Sequence, residues 1–128
     1  MADALFDTTV FIDYYRGDAG AKDLIDAVIG GSLTASYSSL TSFEIWIGID
    51  NREEELDFLA MLSQCEEAPL TAAMARTAAI RLKGFNPRRA EGLFRDALIA
   101  ATATERGEAI YTRNVRDFAR LSIDVRTY

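Results

Sequence analysis

Four acids stand where a strand-like stretch gives way to a helix-like one. Asp7 follows Ala4-Leu5-Phe6, and Glu44 comes shortly after Leu33-Thr34-Ala35-Ser36-Tyr37. Asp96 opens the run Asp96-Ala97-Leu98-Ile99-Ala100-Ala101-Thr102-Ala103, and Asp117 comes just after Ala109-Ile110-Tyr111-Thr112. Parallel α/β sheets gather their strand-to-helix junctions along one edge, where ligands bind. Acids far apart in sequence can therefore meet in one pocket. Clustered carboxylates repel unless a cation sits among them. The helix after Asp96 is nearly all apolar or small, so its carboxylate is expected to be buried and to need a partner. One or two divalent ions answer both needs. They also acidify a bound water and neutralise charge on a phosphodiester. The chemistry is water-mediated phosphoryl transfer without histidine.

Each acid also has an ordinary explanation. Asp7 is a preferred helix N-cap, and Thr41-x-x-Glu44 is a capping-box pattern. Asp96 is a favourable acid in a helix's first turn. Asn114-x-x-Asp117 reads as another cap with an acid three residues on. Taken singly, the ordinary explanation is the better one; four together at one sheet edge are harder to dismiss. Thr8 and Thr112 could hold water or a phosphate oxygen, or simply favour caps and strands. Arg16, Arg88, Arg89, Arg95, Arg113 and Arg116 could touch RNA or a protein partner, though a surface role suits each one individually. Trp46, Tyr14, Tyr15 and Phe43 are assigned to core or interface.

Composition narrows the chemistry. The chain has no histidine, which removes Ser-His-Asp and Cys-His catalysis and the usual zinc sites. Oxygen ligands remain, and these suit Mg²⁺ and Mn²⁺. The single cysteine, Cys65, excludes an internal disulfide and fits a reducing cytosol; it is expected partly buried on a helix. The start Met1-Ala2-Asp3-Ala4 lacks the features of a signal peptide, and no apolar run is long enough to span a bilayer, so a cytoplasmic location without membrane contact is expected. Net charge is -6, but residues 1–75 hold 3 Lys/Arg against 14 Asp/Glu while residues 76–120 hold 10 against 5. Such asymmetry hints at an anionic partner on one side. Twelve of the fourteen bases are Arg, which favours planar, bidentate contacts.

The length of 128 residues suggests one domain over 1–128. Strands are expected at Ala4–Phe6, Leu33–Tyr37, Ala68–Thr71, Ala109–Thr112 and Ile123–Arg126. Helices are expected at Thr8–Arg16, Ala21–Ile29, Phe43–Ile49, Glu53–Leu62, Ala72–Leu82 and Glu91–Arg106, with a turn or two at Val115–Leu121. Phe85–Ala90 is expected to be a loop around Asn86-Pro87. This alternation implies a mostly parallel sheet covered on both faces.

Leu5-Phe6-Asp7-Thr8-Thr9-Val10-Phe11-Ile12-Asp13, Ser42-Phe43-Glu44-Ile45-Trp46-Ile47-Gly48, the run from Asp96 to Ala103 and Tyr111-Thr112-Arg113-Asn114-Val115-Arg116-Asp117-Phe118 resemble the PIN domain, most of all the VapC-type ribonuclease toxins. The resemblance covers essentially the whole chain. It implies a three-layer α/β/α domain with a mostly parallel central sheet, and a Mg²⁺- or Mn²⁺-dependent endoribonuclease acting on transfer or ribosomal RNA. It also implies a homodimer and a VapB-type antitoxin partner. It carries metal-binding and catalytic roles to Asp7, Glu44, Asp96 and Asp117, with Thr8, Thr112 and Asn114 as supporting polar residues. Thr9 departs from the Asn or Ser more common there, but keeps a hydroxyl. The alternative is a non-catalytic PIN-like module that binds protein or RNA. A metal-dependent phosphatase of another α/β family lacks its Asp-x-Asp pattern at Asp7-Thr8-Thr9.

Overall fold

The computed structural model describes residues 2–128. Five short strands, β1 (Ala4–Phe6), β2 (Ala35–Ser38), β3 (Glu66–Ala68), β4 (Ala109–Tyr111) and β5 (Val125–Arg126), pair in parallel in the order β3-β2-β1-β4-β5. The helices are α1 (Thr8–Tyr15), α2 (Ala19–Ile29), α3 (Ser39–Ile47), α4 (Arg52–Leu62), α5 (Ala72–Leu82), α6 (Pro87–Glu91), α7 (Phe94–Arg106) and α8 (Val115–Arg120). Among the described residues no helix is long and apolar enough to cross a membrane.

Alternation along the strands builds the three layers. On one face Ala4, Phe6, Ala35 and Tyr37 pack with Val10 and Phe11 of α1, Ile25 of α2, Ile45 of α3 and Phe58 of α4. On the other, Leu5 and Ile110 pack with Ile99, Ala100 and Ala103 of α7 and Phe118 of α8. A third cluster joins α5 to α7 through Met74, Ala78, Ala97 and Ala101, where small side chains leave room for close helix approach. The central strand β1 is buried throughout, as a parallel strand covered on both faces must be.

The direction in which strands are added to the sheet reverses between β1 and β4. From β1 the chain steps outward to β2 and β3, then returns to the other side of β1. Such a switch point opens a crevice beyond the carboxyl ends of the strands. The register sets Phe6 opposite Tyr111, so Asp7 and Thr112 leave neighbouring strands at one level. The Asp7 amide donates to the Tyr111 carbonyl at 3.0 Å.

Local hydrogen bonding moves several boundaries from their expected places. The third strand lies at Glu66–Ala68 rather than Ala68–Thr71, because the Thr71 hydroxyl accepts from the Met74 amide at 3.2 Å and caps α5. The expected loop at Phe85–Ala90 contains α6: Asn86 accepts from the Arg89 amide at 2.9 Å, and Pro87 occupies the first helical position, where its missing N–H costs nothing. The helix expected from Glu91 starts at Phe94, after a break at Gly92-Leu93. It ends at Gly107, whose φ of 66° is the left-handed conformation that glycine adopts freely. Cys65 sits in the bend between α4 and β3, not on a helix.

Candidate acidic site

Asp7 leaves β1 with extended backbone and caps α1, its Oδ1 accepting from the Thr8 amide at 2.8 Å. The capping explanation therefore holds, yet it uses only part of the carboxylate. Oδ2 accepts from the Thr112 hydroxyl at 2.6 Å, and the residue is fully buried. Thr112, just after β4, also accepts from the Asn114 amide at 2.9 Å.

Glu44 is not part of a capping box. Ser38 caps α3 instead, accepting from the Leu40 amide at 3.1 Å, so the helix begins two residues before Thr41. That places Glu44 in the second turn, where its Oε1 accepts from the Thr8 hydroxyl at 2.6 Å. The Thr41 hydroxyl lies 3.1 Å from the same oxygen of Thr8.

Asp96 lies in the first turn of α7, 4% exposed, and its Oδ2 accepts from the Asn114 side-chain amide at 3.2 Å. Asn114 precedes α8 without capping it by its side chain. Burial raises the pKa of Asp96; the Arg95 hydrogen bond and charge oppose the rise, while the charges of Asp7 and Asp117 add to it.

The group that joins these acids is Arg95. Its Nε donates to Glu44 Oε2 at 2.5 Å, its Nη1 to Asp96 Oδ1 at 2.6 Å, and its Nη2 to Asp7 Oδ1. Nη2 also donates to the Thr8 hydroxyl at 3.1 Å. Burial works against the Arg95 charge, but hydrogen bonds and attraction from Glu44 and Asp7 outweigh it and hold its pKa above the ordinary value. The sequence favours a surface role for Arg95, and the structure draws its guanidinium in among the acids. The one available signal was an arginine beside an acid at the start of an apolar helix.

Asp117 stands apart from this contact set. It lies in the first turn of α8, about a third exposed, with Oδ1 3.6 Å from Arg120. Thus Asp7, Glu44 and Asp96 share one guanidinium, Thr8, Thr112 and Asn114 hold their remaining oxygens, and Asp117 acts on Asp96 only through its charge. Arg88, Arg89 and Arg116 are exposed, and Arg113 pairs with Asp18 at 2.8 Å and covers the Tyr128 ring. Phe43 is 62% exposed, so it is not core. A cavity of about 520 Å³ between α1, α2 and α4 includes none of the four acids in its lining.

Among the described residues, no three Asp, Glu, His or Cys side chains are placed to hold one metal ion. The guanidinium stands between the carboxylates that would do so. Their donor chemistry nonetheless suits a hard divalent cation, being all oxygen. One positive charge against three carboxylates also leaves the pocket negative.

The comparisons with known proteins concern the chain as a whole. Ribonuclease VapC19 of Mycobacterium tuberculosis is 34% identical over 120 residues, covering 89% of this chain and 90% of that protein. A toxin–antitoxin complex from Klebsiella pneumoniae contains a chain of the same fold, with a TM-score of 0.71, 28% identity, and 91% and 90% of the two chains covered. DNA-bound VapBC from Salmonella typhimurium superposes with a TM-score of 0.71 over 100% of this chain and 98% of its own, at 21% identity. Residues 4–123 match the PIN domain, a span that runs from the first residue of β1 past Asp117, and the chain belongs to that family.

Proposed function

We propose that this chain is a divalent-metal-dependent endoribonuclease that hydrolyses RNA phosphodiester bonds. In this reading residues 1–128 are one nuclease domain, a homodimer in the cytoplasm, and the toxin of a VapBC-type pair inhibited by a VapB-type antitoxin. The observation that carries it is the convergence of Asp7, Glu44 and Asp96 on one cation at the sheet's switch point. Kinship with a protein named as a ribonuclease, over nearly all of both chains, supports the choice of substrate.

Asp7 and Asp96 would hold Mg²⁺ or Mn²⁺, with Glu44 binding it or orienting the attacking water. Asp117 would complete a second site or act through water, and Asn114 would support Asp96. When bound, the ion supplies an acidified water and neutralises charge on the phosphodiester. The chain's own part is positional. Thr112 fixes Asp7, Thr8 fixes Glu44 and Asn114 fixes Asp96, each by the carboxylate oxygen that Arg95 does not hold. The N-termini of α1 and α3 meet the same edge and favour an anion such as a phosphate.

The test is cleavage of labelled transfer and ribosomal RNA by the purified protein with Mg²⁺ or Mn²⁺, beside Asp96→Asn. Metal-dependent cutting at discrete positions, lost in the variant, is expected. Binding of RNA without cutting would replace this reading with that of a non-catalytic module.

A further inference from the structure

Arg95 runs against two local rules. It lies in the first turn of α7, where the helix dipole disfavours a cation. Its long side chain is also held by three carboxylates, at a cost in conformational freedom. At 30% side-chain exposure, water is on hand to take the charge instead. What keeps the guanidinium inward is the negative charge of Asp7, Glu44 and Asp96.

On the ribonuclease reading above, we propose that Arg95 is the resident counter-ion of the acidic pocket and competes with the divalent ion for it. The oxygens that accept its N–H groups, Asp7 Oδ1, Glu44 Oε2 and Asp96 Oδ1, are those that face the centre of the cluster. They cannot serve a guanidinium and a metal ion together. Thr112 and Asn114 hold the other oxygens of Asp7 and Asp96, so these two carboxylates stay aimed when Arg95 leaves. Arg95 is thus a positioning residue. It offsets part of the pocket's negative charge in the metal-free protein and sets the ion concentration at which the site fills.

The test uses Mn²⁺ alone, titrated by calorimetry into purified wild type, Arg95→Gln and Asp96→Asn, with thermal unfolding in EDTA. Arg95→Gln is expected to bind Mn²⁺ about tenfold or more tightly than wild type. Its Tm in EDTA should be lower and its rise on adding Mn²⁺ larger. A merely structural arginine would weaken metal binding as it loosened the fold, so equal or weaker binding by folded Arg95→Gln overturns the proposal. If that variant does not fold in EDTA, the wild type decides. Its Arg95 Nε–H signal, protected from exchange in EDTA, should lose protection on Mg²⁺ saturation; persistence overturns the proposal. Equal Mn²⁺ affinity in wild type and Arg95→Gln, abolished in Asp96→Asn, overturns this inference and leaves the ribonuclease reading standing. No Mn²⁺ binding by any of the three overturns both.

Discussion

Helix α7 carries an arginine paired with buried acid at each end, and the two ends are built differently. At its C-terminal end Arg106 donates from Nε to Glu108 at 2.7 Å and from Nη2 to Glu66 at 3.0 Å. The Ser36 hydroxyl of β2 adds a bond to Glu108 at 2.8 Å. A cation in the last turn agrees with the helix dipole. Only one of its two acids is deeply buried: the Glu108 side chain is fully covered while Glu66 is 57% exposed. At the N-terminal end Arg95 opposes the dipole and faces three acids, two of them buried. The Arg106 pairing agrees with the helix dipole and ties the start of β4 to β2, so it reads as structure, although Glu108 Oε2 is buried without a hydrogen-bond partner. The Arg95 cluster breaks local rules, and such violations are expected where a chain keeps a function.

The sharpest test of that contrast is to neutralise one acid at each end. Asp96→Asn or Asp7→Asn should lower RNA cleavage by about 10²–10⁴-fold, with the circular dichroism spectrum unchanged. Glu108→Gln should cut at the wild-type rate; comparable activity losses at both ends would erase the distinction. Removing the cation from the structural end comes next. Arg106→Ala strands the Glu108 carboxylate in a dry site and should cost about 3–5 kcal/mol in urea unfolding. A smaller change is expected from Thr112→Val, which removes a donor to Asp7 and an acceptor for the Asn114 amide. About 1–3 kcal/mol of stability should go with it, together with weaker Mn²⁺ binding. The smallest effect concerns Cys65, which adjoins Glu66 at the Arg106 end. Burial pushes its thiol up to about 11, so labelling with a thiol reagent should be slow at neutral pH and accelerate only toward that value. In Arg106→Ala it should be faster at neutral pH, because a loosened edge exposes the sulfur.

The sequence was most informative where one short segment determines an outcome. Ala4–Phe6 and Ala72–Leu82 have the limits expected of them, because apolar runs and flanking caps lie within a few residues. The parallel sheet followed from alternation alone, and the observed pairings agree. Asn86-Pro87 predicts a loop because both residues favour turns, although the same pair caps and begins a helix. The Thr41-x-x-Glu44 pattern and the serines Ser38, Ser39 and Ser42 offer rival caps, and the position of β2 decides for Ser38. The acids are legible as residues at helix starts, and the resemblance adds Thr8, Thr112 and Asn114 beside them; the arginine that joins the acids is not legible. Arg95 meets Asp7 across 88 residues of chain, and no local pattern encodes such a contact. Glu108 escaped notice for the same reason, since Ser36 lies 72 residues away.

The hydrogen bond from Thr112 to Asp7 spans 105 residues. Contacts of such long range close late, because the intervening chain must first be ordered. As the polypeptide leaves the ribosome, Asp7 and Glu44 emerge early and Asp96 long afterwards, and Thr112 and Asn114 follow only when most of the chain is out. The pocket is therefore assembled only after Thr112 and Asn114 have emerged. A fragment that stops short of Thr112 carries Asp7, Glu44 and Asp96 without the residues that aim Asp7 and Asp96.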